Sequence, residues 1–177
     1  MIYYGEISKC DELEDQAFKA FNNVLKVALD FGATKMFSSM IETVCDKQIE
    51  NKRIHQAFEN NVVFRMQIDW MDDIVRIVKA GQKTDYFSDL FYEKLLRMGL
   101  KLMEQQPSTE SVKLIKAFHN HHEYIQNFTI SSQVIKKHIA QDIDKTNVDD
   151  LCYMIQLFRS DNAFSKYLMS NLLEKMD

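Results

Sequence analysis

The sequence predicts an all-α protein, because its composition and its hydrophobic pattern both favour helices. Its 177 residues include only four glycines and one proline, the two residue types that most strongly interrupt regular structure. Apolar side chains recur every three or four positions along most of the chain, which is the period of one helical face. We expect one domain, residues 1–177, of eight or nine helices that form an irregular antiparallel bundle or an elongated helical array.

The first half of the chain is expected to hold three or four helices. In order, they are a helix over residues 11–31, a shorter helix over 36–44 and a helical segment over 51–81. Gly32 follows the first helix, in the position where glycine commonly ends one. The third segment is either one helix or two helices, with a break near Asn60 and Asn61 or near Asp69.

The second half continues the same pattern. Helices are expected over residues 85–105, 112–118, 134–143, 148–158 and 162–172. The first of these is apolar around nearly its whole circumference, which indicates a central helix, and Gly99 within it favours the close approach of another helix. Asn147 with Asp150 three positions later resembles a capping box, and Asp161 or Asn162 is expected to begin the last helix. No repeat of fixed signature is visible, which argues against a regular solenoid.

Charge and composition exclude several classes of protein. The net charge of -4 provides no overall attraction to nucleic acid or to an anionic membrane. No apolar run approaches the roughly 20 residues of a membrane-spanning helix, and the N-terminus lacks the pattern of a signal peptide. The three cysteines are far apart and odd in number, which is typical of free thiols in a reducing compartment. We therefore expect a soluble intracellular protein, in the nucleus or the cytoplasm.

The stretch HNHHE, residues 119–123, contains the most suggestive chemistry in the chain. On a helix His119, His122 and Glu123 share one face, and their side chains are competent zinc or iron ligands. One helical turn cannot close such a site, so a further ligand such as His138 or His55 is required. We interpret the stretch as a solvated helix end, with a metal-dependent enzyme or sensor as the alternative function and a pH-sensitive contact as a third reading.

Other catalytic patterns are absent from the sequence. It has no glycine-rich phosphate loop and no Gly-x-Ser-x-Gly motif. Cys45 and Cys152 lie in amphipathic segments, where a small buried hydrophobic residue is the usual role. We expect a protein that is not an enzyme and that needs no cofactor.

A basic stripe marks the central helix. Lys94, Arg97 and Lys101 recur at helical spacing and would suit an acidic partner or a phosphate backbone. The simpler interpretation is the solvated edge of a buried helix, with apolar stems packed and charges outward. Direct binding of nucleic acid is the weakest of the functions considered.

The first helix carries more apolar surface than one packing face requires. Phe18, Phe21, Leu25 and Leu29 are the residues we expect at an interface with a second copy of the chain or with a partner helix. The alternative is that other helices cover this surface on two sides. The sequence therefore predicts a non-enzymatic protein-interaction module, homodimeric and able to dock a partner helix or a short peptide.

Two segments resemble the TRF-homology domain, the dimerisation domain of telomere-repeat-binding factors. RIVKAGQKTDYF, residues 76–87, is similar to a helix end and turn in the middle of that domain. YIQNFTISSQVIKKHI, residues 124–139, is similar to the segment that leads into its last long helix, although the interval between the two segments is shorter here. The resemblance implies an all-helical homodimer that docks linear peptides as a scaffold in a chromosome- or telomere-associated complex.

Overall fold

The structure, a computed structural model, is all-α. It describes the backbone of residues 3–30, 32–105, 111–118, 129–141 and 143–176. It describes the side chains of the same residues except 3–13, 104–105, 111 and 129–132. Within these ranges there are nine α-helices, one short 3-10 helix and no strand, which confirms the predicted fold class.

The helices are numbered in chain order. Their bounds are α1 Tyr3–Asp30, α2 Thr34–Asp46, α3 Lys52–Phe64, α4 Met71–Gly81, α5 Asp89–Gln105, α6 Ser111–Ala117, α7 Thr129–Gln141, α8 Val148–Leu157 and α9 Asn162–Met176. The 3-10 helix Ile143–Lys145 lies between α7 and α8. The backbone of α1 therefore begins eight residues before the expected start, and residues 51–81 form two helices that are separated near Asp69.

The chain divides into two compact units. The first unit is Met1–Lys94 and the second is Leu95–Asp177, so the boundary falls inside α5. The expectation of a single domain stays a prediction.

Local signals end α1 and begin α3. Gly32 has a φ of 61°, the left-handed conformation that glycine adopts without steric cost. The N–H of Gly32 donates to the Leu29 carbonyl at 3.1 Å and that of Ala33 donates to the Ala28 carbonyl at 2.8 Å, so two carbonyls at the end of α1 are satisfied. The Asn51 side chain accepts from the N–H groups of residues 53 and 54 and caps α3.

In the first unit, residues that pair across two packed helices are separated by a similar number of positions along the chain. Asn51 donates to Glu14 across 37 positions, and Arg53 pairs with Asp15 across 38, so α1 and α3 lie side by side and run parallel. The hydrogen bonds and ion pairs between α2 and α4 span 34 to 39 positions, so these two helices are also parallel. Because short turns join α1 to α2 and α3 to α4, two helical hairpins are stacked in the same direction. Helical repeat proteins are built in this way, although the sequence shows no repeat signature.

Aromatic side chains fill the interior between these hairpins. The Phe58 ring of α3 is fully buried and lies edge-on to Phe21 of α1 at 5.1 Å and to Phe37 of α2 at 5.4 Å between ring centroids. Each edge-to-face pair adds about 0.5–1.5 kcal/mol beyond the burial of its area. Phe58 therefore connects three helices and determines which face of α1 is turned inward.

In the second unit, Gly99 permits the close approach that the sequence predicts. A Cβ atom at this position of α5 would lie 2.7 Å from Leu114 Cδ2 and 2.9 Å from Leu114 Cδ1, so only glycine leaves room for this side chain of α6. Leu114 is almost fully buried. The prediction that Gly99 lies at a helix contact is confirmed.

The last two helices begin at the expected caps. The Asn147 side chain accepts from the Asp150 N–H at 2.8 Å and donates to the Asp150 carboxylate at 3.0 Å. Asp161 accepts from the Phe164 N–H at 3.0 Å and pairs with Lys136, so it is Asp161 that caps α9. The hydrogen bond and charge of Lys136, together with the Phe164 N–H, hold the pKa of Asp161 below its usual value.

Candidate docking site at the ends of α1 and α3

The first helix turns two apolar faces in different directions. Its inward face carries Leu25 and Ala28, which are buried within the first unit. Its outward face carries Ala17, Ala20, Val24 and Val27, which are all exposed. The surplus apolar surface that the sequence indicates is therefore present, but it lies on this outward face.

The four residues expected at an interface lie on the inward side of α1. Leu25 is only 2% exposed, so its side chain fills the interior and is not available to a partner. Phe21 is half-buried against Phe58, and Phe18 is half-buried with the Arg53 guanidinium 4.3 Å above its ring. Leu29 is half-buried and lines a cavity. For Leu25 the expectation of a surface position is wrong, because Phe58 and Phe37 favour the inward orientation of this face.

A cavity of about 510 Å³ lies where α1 and α3 end. Because these helices are parallel, their C-terminal ends are neighbours, and the α1–α2 turn and the segment after α3 complete the walls. The lining residues are Asn22, Leu25, Lys26, Ala28, Leu29, Asp30, Gly32, Ala33, Thr34, Asn61, Arg65, Met66 and Gln67. Its size falls within the range of roughly 300–1,000 Å³ that is common for ligand sites.

The cavity combines an apolar wall with unpaired charges. Leu25, Leu29 and Met66 supply much of the apolar lining. Lys26 and Arg65 are exposed, and within the described residues neither of them forms an ion pair. Both cations lie near helix C-termini, where positive charge is favoured by the helix dipole, so their side chains can remain at the cavity without a carboxylate partner.

Asn61 lies at the cavity wall and has a buried side-chain oxygen. Its residue is 9% exposed, and its Nδ2 group donates to the Ala57 carbonyl at 2.7 Å. Its Oδ1 atom is buried and has no hydrogen-bond partner in the described part of the chain. A buried acceptor without a donor costs about 1–3 kcal/mol, so Asn61 lowers the stability of the folded first unit.

Two large aromatic residues flank the segment that lines the cavity. Phe64 is 75% exposed and directly precedes Arg65, and Trp70 is 67% exposed and follows Gln67 by three positions. Aromatic side chains are enriched at protein interfaces, and tryptophan is among the residues that carry most of the binding energy. Neither residue is among those expected at a site. The signal in the sequence was the position of Phe64 and Trp70 on either side of a helix break, where no neighbouring turn covers them.

A buried carboxylate holds the wall of the cavity in place. Asp73, in the first turn of α4, accepts from Thr34 Oγ1 at 3.0 Å and from Ser38 Oγ at 2.8 Å. Thr34 is itself a lining residue. These two hydrogen bonds join the beginnings of α2 and α4. They hold in place the end of the first hairpin, where the cavity lies.

The basic stripe lies on α5 as expected from its spacing. Arg97 and Lys101 are exposed, and Lys94 is half-buried. Lys116 of α6, in contrast, pairs with Asp150 and lies 6.0 Å from the centre of the Tyr153 ring. An acidic partner for the stripe on α5 stays a prediction.

The histidine stretch lies outside the described residues, and so do His119, His122 and Glu123. The two histidines considered as distant ligands are both buried. His55 bonds to the Ile49 carbonyl through Nε2 at 2.9 Å and stacks on Tyr86 with 4.4 Å between ring centroids, so its ring is held by packing. Among the residues with described positions, no three His, Cys, Asp or Glu side chains are grouped to hold a metal ion.

The two described thiols differ in their surroundings. Burial raises the pKa of Cys45 to about 11, and the neighbouring Asp46 carboxylate adds to the shift. Cys152 is exposed on α8. At neutral pH the Cys45 sulfur is therefore a protonated, packed group.

Comparisons with known proteins give no relative: no family model, no curated protein and no solved structure matches the chain. The resemblance to the TRF-homology domain accordingly stays an expectation. None of the described helices has the length and apolar character needed to cross a membrane.

Proposed function

We propose that the first unit is a non-enzymatic protein-interaction module that docks a short peptide segment at the cavity between α1 and α3. The observation that supports this function best is the combination of the cavity with the exposed rings of Phe64 and Trp70 on either side of its lining segment. Exposed aromatic side chains that adjoin the lining segment in sequence are candidate anchors for a docked peptide.

The polar groups of the cavity support a peptide more than a purely apolar ligand. Lys26 and Arg65 offer two cations, which correspond to the carboxylate groups that peptides carry. The half-buried side chains of Leu29 and Met66 would contact one apolar side chain of the peptide. The stacked hairpins support this site, because Asp73 of α4 accepts hydrogen bonds from Ser38 and from the lining residue Thr34.

A selection from random peptides tests the proposal. The full chain is immobilised and used to enrich displayed 12-residue peptides, and the affinities of the enriched sequences are then measured by fluorescence anisotropy. Phe64→Ala and Trp70→Ala should each lower the affinity at least tenfold, since aromatic anchors typically contribute about 2 kcal/mol or more. Both side chains are exposed, so the fold should persist.

Ile49→Ala serves as the matched control. Ile49 is an exposed apolar residue in the α2–α3 turn, at the opposite end of α3 from the cavity. We expect this variant to bind like the wild type. Enriched peptides that bind the Phe64 and Trp70 variants as tightly as the wild type would place docking elsewhere, and a failure to enrich any peptide would refute the function.

Self-association is a second candidate, favoured by the outward face of α1. Ala17, Ala20, Val24 and Val27 form one exposed apolar stripe, and a two-fold contact could bury it against the same stripe of a second copy. Light scattering over a hundredfold range of concentration should then give the mass of a dimer. Val24→Glu should convert it to a monomer without loss of helicity, whereas a wild-type chain that is monomeric throughout would end this candidate. The chromosome-associated setting is supported by the TRF-homology resemblance alone.

A further inference from the structure

We infer that the last helix, α9, carries a second interaction surface, on which a second copy of the chain packs. In this arrangement two α9 helices lie antiparallel across a two-fold axis near Leu173. The residues of this surface, called the α9 stripe, are Lys166, Met169, Leu173 and Met176. The inference goes beyond peptide docking by the first unit, and it gives a dimer contact that is an alternative to the outward face of α1.

The exposure of α9 is the first step of the argument. The helix has 15 residues, but only Leu168 and Leu172 are buried among them. Met169, Leu173 and Met176 are 44%, 58% and 69% exposed, and their spacing of four and three positions places them on one side of the helix. An apolar stripe of this kind is the surface that a further helix would cover.

The symmetry of the α9 stripe is the second step. Met169 precedes Leu173 by four positions and Met176 follows it by three. A two-fold axis near Leu173 therefore places Met169 of each protomer beside Met176 of the other, so the stripe matches a copy of itself when the helices run antiparallel. Methionine side chains are flexible and fill irregular gaps, which suits the contact of two identical surfaces.

Charge complementarity favours the same arrangement. Lys166 is exposed and forms no ion pair within the described ranges of the chain. The antiparallel contact places it at the C-terminal end of the other α9, where the last carbonyl groups lack helical partners and the helix dipole favours a cation. Lys175, the basic residue of the last turn, donates to the Asp144 carbonyl at 2.7 Å, so its charge is used within its own chain.

The size of the contact indicates a weak dimer. Three apolar side chains from each protomer bury less than the roughly 800 Å² per partner of a standard interface, so we expect a dissociation constant on the order of 10 µM. Sedimentation equilibrium of the full chain, over a hundredfold range of concentration around this value, should show a reversible change from monomer to dimer. Leu173→Glu should be monomeric throughout the range, and Lys166→Glu should raise the dissociation constant at least threefold.

Two further experiments locate the contact. Val24→Glu places the same charge on the outward face of α1 and should dimerise like the wild type. In a Cys152→Ser background, Leu173→Cys should form a disulfide with its own copy on mild oxidation, because both sulfur atoms lie near the axis. Glu174→Cys is the matched control and should not form this disulfide, since Glu174 is exposed but lies about 100° further around the helix. Mass spectrometry of the linked peptides identifies the disulfide.

The outcomes separate this contact from the other surfaces of the chain. A wild-type chain that is monomeric at the highest concentration would overturn the inference. A dimer that Val24→Glu dissociates and Leu173→Glu does not would also overturn it, because the outward face of α1 would then form the contact. If Leu173→Glu loses helicity in circular dichroism, the disulfides decide, and equal linking of Leu173→Cys and Glu174→Cys would count against the α9 stripe. Peptide docking by the first unit is independent of all these results.

Discussion

Asn61 is a residue that lowers the stability of the first unit. Its Oδ1 atom is buried without a hydrogen-bond partner, which costs free energy in the folded state. An apolar residue that fills the same space would avoid this cost.

Asn61→Leu should therefore stabilise the protein. We expect the free energy of unfolding to rise by about 1 kcal/mol, because the unsatisfied oxygen is removed. The Ala57 carbonyl, which loses the Nδ2 group, still lies within α3. Urea denaturation followed by circular dichroism measures the change. A loss of more than about 1 kcal/mol would instead show that the Asn61 amide is needed for the fold.

The two described thiols should differ strongly in reactivity. With a pKa of about 11, Cys45 holds only about one thousandth of its sulfur as thiolate at pH 8, and burial restricts access further. Cys152 is exposed. Brief treatment of the folded protein with iodoacetamide at pH 8 should label Cys152 and leave Cys45 intact, as read by mass spectrometry of the peptides. Equal labelling of both would contradict the burial of Cys45.

At the scale of elements, the contact of α5 with α6 predicts that one substitution has opposite effects on stability in two backgrounds. In the wild type, Gly99→Ala should destabilise the protein by about 1–3 kcal/mol, because the new Cβ would overlap the Leu114 methyl groups. In a Leu114→Val background these atoms are absent, and the same change should stabilise the helix by up to about 1 kcal/mol. Thermal unfolding of the four variants measures both values. Equal effects in the two backgrounds would contradict the contact.

The ends of the helices could largely be predicted from sequence, whereas their faces could not. Gly32, Asn147 and Asp161 act within three or four residues of themselves, so local chemistry is sufficient to place them. The inward face of α1 depends on Phe58, which lies 37 positions after its contact Phe21. Because α1 is apolar on more than one side, its periodicity does not indicate which side turns inward. Leu25 was therefore expected at the surface, whereas its side chain is buried.

At the scale of the first unit, the candidate site results from the position of α1 relative to α3. The cavity exists because two parallel helices end at the same level, and its lining comes from three separate stretches of chain, residues 22–34, 61 and 65–67. No one of these stretches carries a recognisable motif, so the sequence could not indicate the site. The all-α class, in contrast, follows from composition and helical periodicity, which every segment repeats.

The most direct test of the docking site is to observe where a bound peptide lies. The full chain, with labelled methyl groups, is mixed with the tightest selected peptide, and nuclear Overhauser contacts between peptide protons and protein methyls are recorded. The account predicts contacts to Leu29 and Met66, which line the cavity and are half-buried. Contacts confined to Val24 and Val27 on the outward face of α1, or to the second unit, would contradict it.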